Sequence, residues 1–160
     1  MAGGGSSSRH EMHMREAFAI ARRARARGNR PFGALLVAGN GAVLASAENS
    51  QLTDEQVIAH AEMNLLHRVG RELAPDVLAI STLYTSAEPC AMCAGAIFWS
   101  GVGGVVYGLS GDRLHELSGY NPQMLLASAR EVLSKAGRRV EVIGPLLESE
   151  AEALFADGVF

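Results

Sequence analysis

AISTLYTSAEPCAMCAGAIFWSGVGGVVYG, residues 79–108, is the stretch from which the architecture can be read. Ala79–Ser86 and Gly104–Gly108 are apolar runs of strand length, and Ala91–Ser100 between them is an apolar run of helix length. Strand, helix and strand in so short a span form a βαβ unit, so the two strands run parallel. Pro89 stands just ahead of the helix, where a residue without an amide hydrogen costs nothing.

Upstream of this unit, Ala59–Glu72 has helical periodicity with Met63, Leu66 and Gly70 inward, and it ends before Pro75. Phe32–Ala38 and Ala42–Glu48 are apolar runs joined by Gly39-Asn40-Gly41, a composition that favours a tight antiparallel hairpin. From His10 to Arg27, Met14, Ala17, Phe18, Ala21 and Ala24 mark one face of a first helix, which Gly28-Asn29 stops. Downstream, a polar connection holding Asp112, His115 and Tyr120 leads to a helix from Pro122 to Ala136. A strand then spans Arg139–Ile143, and a last helix starts near Leu146. The order α-β-β-α-β-α-β-α-β-α predicts a three-layer α-β-α sandwich with a mixed five-stranded sheet. Residues 1–8 (MAGGGSSS) read as a flexible tail, and residues 9–160 as a single domain.

With 48% hydrophobic and 19% charged residues, 160 residues suffice for one substantial core. A formal charge of -3 and a pI near 5.9 predict no general attraction to nucleic acid or anionic membrane. No run approaches the roughly 18 apolar residues of a membrane span, and the N-terminus lacks the order of a secretory signal, so a cytoplasmic location is expected. The two cysteines, Cys90 and Cys93, are spaced for metal or redox chemistry in a reducing compartment.

His60 and Glu62, in H-A-E, join those cysteines, in P-C-A-M-C, as the residues that carry chemistry. One imidazole and two thiolates suit Zn2+, and three protein ligands leave the fourth tetrahedral position open for water. Residues two apart do not share a helix face, so His60 and Glu62 converge only on something beyond the N-terminal end of their helix. Pro89 puts both sulfurs near another helix start, whose dipole and free amides favour thiolates. Two helix starts facing one ion, with Glu62 as a nearby carboxylate able to take a proton from water, is the simplest arrangement. A closed structural site or a redox pair are the alternatives, and neither has a use for Glu62.

H-x-E followed by P-C-x-x-C resembles the zinc deaminase signature. With N-R-P-F-G-A at 29–34, Asn49, I-A-H-A-E-M-N at 58–64 and L-Y-T-S-A-E-P-C-A-M-C-A-G-A-I-F-W at 83–99, the chain is similar to the cytidine/deoxycytidylate deaminase superfamily. Its bacterial guanine deaminase-like branch is the nearest in pattern. The resemblance implies His60, Cys90 and Cys93 as zinc ligands, Glu62 as proton shuttle, and Asn49 and the amide of Ala61 as substrate contacts. Phe32 and Trp99 would wall the pocket against a flat ring. It further implies a small heterocyclic substrate (guanine, a cytosine analogue or an amino-triazine) and a homodimer in which the Ala91–Trp99 helix is a candidate contact. The tRNA adenosine deaminase branch is the alternative, but D-P-T-A-H-A-E and P-V-G-A are usual there, whereas this chain has D-E-Q-V-I-A-H-A-E and P-F-G-A. G-Y-N-P at 119–122 departs from the guanine deaminase pattern, which leaves the ring itself open. A noncatalytic zinc module is a further alternative.

Several other residues have ordinary readings beside functional ones. Asn49 suits a turn at a strand end, and Phe32 and Trp99 suit a core. His67 is expected to be packed or solvated, and His10, His13 and His115 have no spacing partner. Arg22, Arg23, Arg25 and Arg27 spread around a helix end, which favours a solvated face over an RNA-binding patch. Leu154-Phe155 and Val159-Phe160 belong to a packed last helix or to a C-terminal closure over the substrate.

Overall fold

The computed structural model describes residues 4–158. Five strands, β1 (Gly33–Val37), β2 (Val43–Glu48), β3 (Thr82–Ala87), β4 (Gly104–Leu109) and β5 (Glu141–Ile143), form one sheet in the order β2-β1-β3-β4-β5. β1 pairs antiparallel with both β2 and β3, whereas β3, β4 and β5 are mutually parallel. This is the mixed five-stranded sheet that the sequence predicts.

Alternation along the strands divides the core in two. Ala34, Leu36, Leu83 and Val105 face one side of the sheet, packing under α2 (Ala61–Glu72) and α4 (Ala91–Ser100). Leu35, Val37, Tyr84 and Val106 face the other, under α1 (Gly4–Ala26) and the C-terminal α7 (Glu148–Glu152) with its following 3-10 turn, Ala153–Phe155. The helices therefore cover both faces, as expected of an α-β-α sandwich. The face of α1 read from the sequence is the buried one, since Met14, Ala17, Phe18, Ala21 and Ala24 are all within 2% of full burial. This layer comes close at Gly33, where an added Cβ would lie 2.6 Å from the Ala21 amide and 2.7 Å from the Ala17 carbonyl.

Other boundaries differ from expectation for local reasons. α1 begins at Gly4, inside the stretch expected to be a tail, with Ser8 Oγ and Arg9 Nε both donating to the Gly5 carbonyl; Met1–Gly3 lie outside the described residues. In α2 the inward face is Ala61, Glu62, Leu65, Leu66 and Val69, so Gly70 is exposed and Met63 only half-buried. Pro75 does more than end α2, because it opens a further short helix, α3 (Pro75–Ala79), which delays β3 to Thr82.

The largest correction concerns residues 110–136. The expected polar connection is helical, α5 (Gly111–Ser118), with the Ser110 hydroxyl accepting from the Arg113 amide at its start and Gly119 in the left-handed conformation at its end. The helix expected from Pro122 starts only at α6 (Ala129–Ser134), where Ser128 and Glu131 form a reciprocal capping box. The leucines after Pro122 have no core to pack on, Leu125 and Leu126 both being exposed, so the helix forms only where the capping box stands.

Candidate metal centre and active site

The parallel pair β3 and β4 directs the chain to the site. β3 ends at Ala87, and Glu88-Pro89 carries it to Cys90, so the site lies beyond the carboxyl end of a parallel strand, where ligands bind in α/β sheets. Cys90 is the N-cap of α4, with extended backbone (φ -63°, ψ 170°), and His60 is the N-cap of α2 in nearly the same conformation (φ -67°, ψ 154°). Neither side chain caps its own helix, which leaves both free to turn toward each other. Cys93 and Glu62 follow within the first turns of the same two helices.

The donor atoms of His60, Cys90 and Cys93 all lie within 4.8 Å of one another. His60 Nδ1 is 3.7 Å from Cys90 Sγ and 3.4 Å from Cys93 Sγ. A tetrahedral ion with the usual zinc–nitrogen and zinc–sulfur lengths sets such atoms about 3.6 Å apart. The donor set fits zinc both in chemistry and in spacing. Among the described residues no other group of three or more histidine, cysteine or acidic side chains gathers in this way, and no fourth such side chain completes a closed site.

The electrostatics agree. The Cys90 thiol is pushed down to about 4, first by its hydrogen bond with Cys93 and then by the His60 imidazole. Cys93 is pushed far up, chiefly by that same bond to Cys90, with burial adding to it. The hydrogen bond to Cys90 also raises the His60 imidazole. Protein groups alone thus leave one negative charge between two sulfurs, and a bound dication ionises both.

Glu62 is buried, and burial raises its carboxyl above the usual range, with a hydrogen bond from Thr85 opposing the rise. Thr85 Oγ1 donates to Oε1 at 2.7 Å, and Cys93 Sγ lies 3.7 Å from Oε2. One oxygen of Glu62 is therefore held by the sheet while the other faces the metal donors.

A cavity of about 230 Å³ opens in front of these groups, with Phe32, Asn49, His60, Glu62 and Cys90 in its wall. Asn49 is buried: its amide N–H donates to Phe32, its Oδ1 accepts from the Gln51 amide at 3.1 Å, and its Nδ2 donates to Gln51 Oε1 at 2.8 Å. Asn49 meets the turn reading, and the same turn sets its side chain in the cavity wall. Phe32 also packs on Phe155, at 5.6 Å between ring centroids. Ala61 is buried as the first residue of α2, so its amide has no acceptor within the helix.

Trp99 is not in the wall. It is 83% exposed and packs edge-on against Phe98, because α4 buries Cys93, Ala94 and Ile97, and a residue two positions after Ile97 points away from that face. Sequence reading also missed Arg30, Gln51, Glu88, Leu114, Met124 and Leu125 in the wall, and Thr85 behind Glu62. His115, which has no spacing partner in the sequence, joins them there through α5. Arg30 and Glu88 stand inside the motifs at 29–34 and 83–99, and Thr85 had a periodic signal: with period two, it shares a strand face with Leu83 under α2, while Tyr84 points the other way.

The remaining singled-out residues have structural roles. His67 is exposed, and His10 and His13 stack on Tyr84 at 5.8 and 5.0 Å. Arg22 and Arg23 are solvated, whereas Arg25 ties the helix end to the Leu154 carbonyl and Asp157, and Arg27 pairs with Glu48. Leu154 and Phe155 are buried against the α1 layer; Val159-Phe160 lie outside the described residues. No described helix is long and apolar enough to cross a membrane.

The sequence pattern of the cytidine and deoxycytidylate deaminase zinc-binding region matches residues 7–109. The chain belongs to that family. As such it is a zinc-dependent hydrolase, and the cluster of His60, Cys90 and Cys93 is placed where it could hold the metal. Members of the family differ in what they act on. A probable cytosine deaminase of Schizosaccharomyces pombe is 41% identical over 145 residues, covering 87% of this chain and 85% of the yeast protein. A tRNA-specific adenosine deaminase of Bacillus subtilis is 43% identical over 98 residues, 61% of this chain and 60% of that one. Among solved structures, a guanine deaminase from Nitrosomonas europaea superposes with a TM-score of 0.73 at 28% identity, over 88% of this chain and 79% of that one.

Proposed function

We propose that this protein is a hydrolytic deaminase of a free nucleobase or a similarly small amino-heterocycle: guanine, a cytosine analogue or an amino-triazine. The observation that carries the reading is the cavity, which at about 230 Å³ has an aromatic ring (Phe32), an oriented amide (Asn49) and a buried carboxylate (Glu62) around one metal site. It is smaller than the roughly 300–1,000 Å³ usual for drug-sized ligands, which favours a bare ring over a nucleoside. The cytosine deaminase and guanine deaminase relatives support the same class.

His60, Cys90 and Cys93 would hold the zinc. When bound, zinc lowers the pKa of water toward about 7 and so supplies a nucleophile at neutral pH. The net reaction exchanges a ring C–NH2 for C=O, with water providing the oxygen and ammonia leaving. Glu62 accepts the proton that water loses and delivers it to the departing amine. Its Oε1 is fixed by Thr85, which leaves Oε2 as the oxygen that moves the proton. Asn49, held by Gln51, binds the polar edge of the ring, the Ala61 amide takes a ring carbonyl, and Phe32 covers the ring face.

Ammonia release from the zinc-loaded protein, screened over free bases, nucleosides and amino-triazines, tests the proposal. Turnover of at least one free ring, lost in Glu62→Gln with zinc retained, is expected; turnover of nucleosides in preference to every free ring would refute it. The tRNA-specific adenosine deaminase relative gives a second reading, deamination of a base in an RNA loop. That reading requires RNA binding with a steep salt dependence, from released counterions. We also propose a homodimer through the face bearing Trp99. Sedimentation equilibrium tests it, and a monomer at micromolar concentration would refute it.

A further inference from the structure

The covering wall of the cavity comes from a segment that leaves the sheet after β4 and returns to the body of the protein only at α6. Leu114 and His115 of α5, with Met124 and Leu125 of the loop after it, face the same cavity as Glu62. α5 buries no residue fully, although Leu114 and Leu117 pack against the core and Arg113 pairs with Glu152, and residues 120–127 form no helix or strand. Glu88 meets the segment at both of its ends.

Glu88 Oε2 accepts from the Gly111 amide at 2.8 Å, and Oε1 accepts from the Ala129 amide at 3.0 Å. Gly111 is the first residue of α5 and Ala129 the first of α6, so one carboxylate takes an orphan amide from each helix start. The backbone of Glu88 is fixed in turn, its amide donating to the Leu109 carbonyl at 2.7 Å at the end of β4. The approach is close as well: a Cβ at Gly111 would lie 3.2 Å from Glu88 Oε2. Through Pro89, the residue is joined directly to Cys90.

We infer that Glu88 is a positioning residue: its carboxylate clasps both ends of the 111–128 segment onto the loop that supplies a metal ligand, and so fixes the pocket wall that discriminates between substrates. The specificity part rests on the proposed function; the clasp itself does not. Both oxygens are occupied by amides, so Glu88 acts on the substrate only through the segment it holds. Glutamine has the same shape but offers one acceptor and one donor, so in Glu88→Gln one of the two amides loses its partner and meets an N–H instead.

Hydrogen–deuterium exchange on the zinc-loaded full chain reads the clasp, and zinc content and steady-state kinetics are measured on the same preparations. In Glu88→Gln we expect exchange across residues 111–128 to rise roughly 10- to 100-fold, as loss of a hydrogen bond to a charged group implies. Zinc stays at one per chain. With the substrate found by the ammonia screen, KM rises several-fold while kcat changes little. Wild-type exchange across 111–128 in Glu88→Gln would overturn the clasp. Faster exchange there with unchanged KM values for all ring substrates would overturn the specificity role alone. If Glu88→Gln loses zinc or exchanges faster throughout, Glu88→Asp is read in its place, because it keeps the charge but is one methylene too short to reach both amides; general loosening in that variant too would overturn a local clasp. Failure of the wild type to release ammonia would count against the proposed function and leave the exchange result standing.

Discussion

Replacing Thr85 by valine isolates the bond that the sheet makes to the proposed proton carrier. Thr85 and Glu62 are both buried, and among the described residues their 2.7 Å contact is the only hydrogen bond of the Thr85 hydroxyl. Valine keeps the shape of threonine, so packing is preserved and only the hydroxyl goes. A hydrogen bond to a charged group contributes about 1.5–3 kcal/mol. Because that bond favours the ionised form, its loss raises the Glu62 pKa further, on top of the rise that burial already causes. A base that must be ionised is then lost at higher pH. The acidic limb of kcat/KM therefore moves toward alkaline pH, while the rate on the plateau is largely kept. Initial rates of ammonia release from pH 5 to 9 measure this, with Thr85→Ser as the control that retains the hydroxyl and the wild-type limb. An unmoved limb with a rate lowered equally at every pH would refute the reasoning, since Thr85 would then act on geometry and not on the proton.

Further outcomes follow from the same geometry. Glu62→Gln should keep zinc and lose about 100- to 10,000-fold in kcat by ammonia release. It should also melt higher than the wild type at neutral pH when both are metal-free. The sign is fixed by burial: a carboxyl raised above its ordinary 4.5 in the folded state contributes stability below that value, which is lost as pH rises through the folded pKa. The advantage of glutamine should therefore vanish in acid, and an equal advantage at pH 4 and pH 8 would count against it. Cys93→Ser, at a buried candidate ligand, should lose bound zinc by metal analysis and melt where the chelated wild type does. Gly33→Ala should destabilise the fold by about 1–3 kcal/mol in urea titrations, because its Cβ would meet α1 backbone.

The sheet and the metal donors were legible in the sequence because both are written in short-range pattern. The βαβ unit at 79–108 needs only apolar runs of the right lengths, and Ala91–Ser100 is helical over the range the sequence predicts. His60 and Cys90 could be placed at helix starts because Glu62 is two residues on and Pro89 one before. The pocket wall was not legible, and the reason is physical. α5 is only 8 residues long, with Leu114 and Leu117 as its apolar positions, and it is held by a serine cap and by the carboxylates of Glu88, Glu148 and Glu152, more than twenty residues away in sequence. Trp99 was misplaced for a related reason: α4 is apolar nearly all round, so its composition does not say which side faces the sheet.

Two glutamates in one cavity wall show how surroundings divide labour between identical side chains. Glu88 accepts from a main-chain amide at each oxygen, and each amide begins a helix. Both of its oxygens are committed to the segment it holds. Glu62 accepts one hydroxyl bond, and its second oxygen has only a thiol beside it, one that a dication would turn into a thiolate with no proton to give. Burial meanwhile raises its affinity for a proton. The carboxylate with an uncommitted oxygen and a raised pKa is the one suited to carry protons, and the saturated one is suited to hold structure. Glu88→Gln and Glu62→Gln should accordingly separate cleanly: the first changes exchange across 111–128 and KM, the second kcat alone. A Glu62→Gln variant that loosened residues 111–128, or a Glu88→Gln variant with normal exchange and abolished kcat, would reverse the assignment.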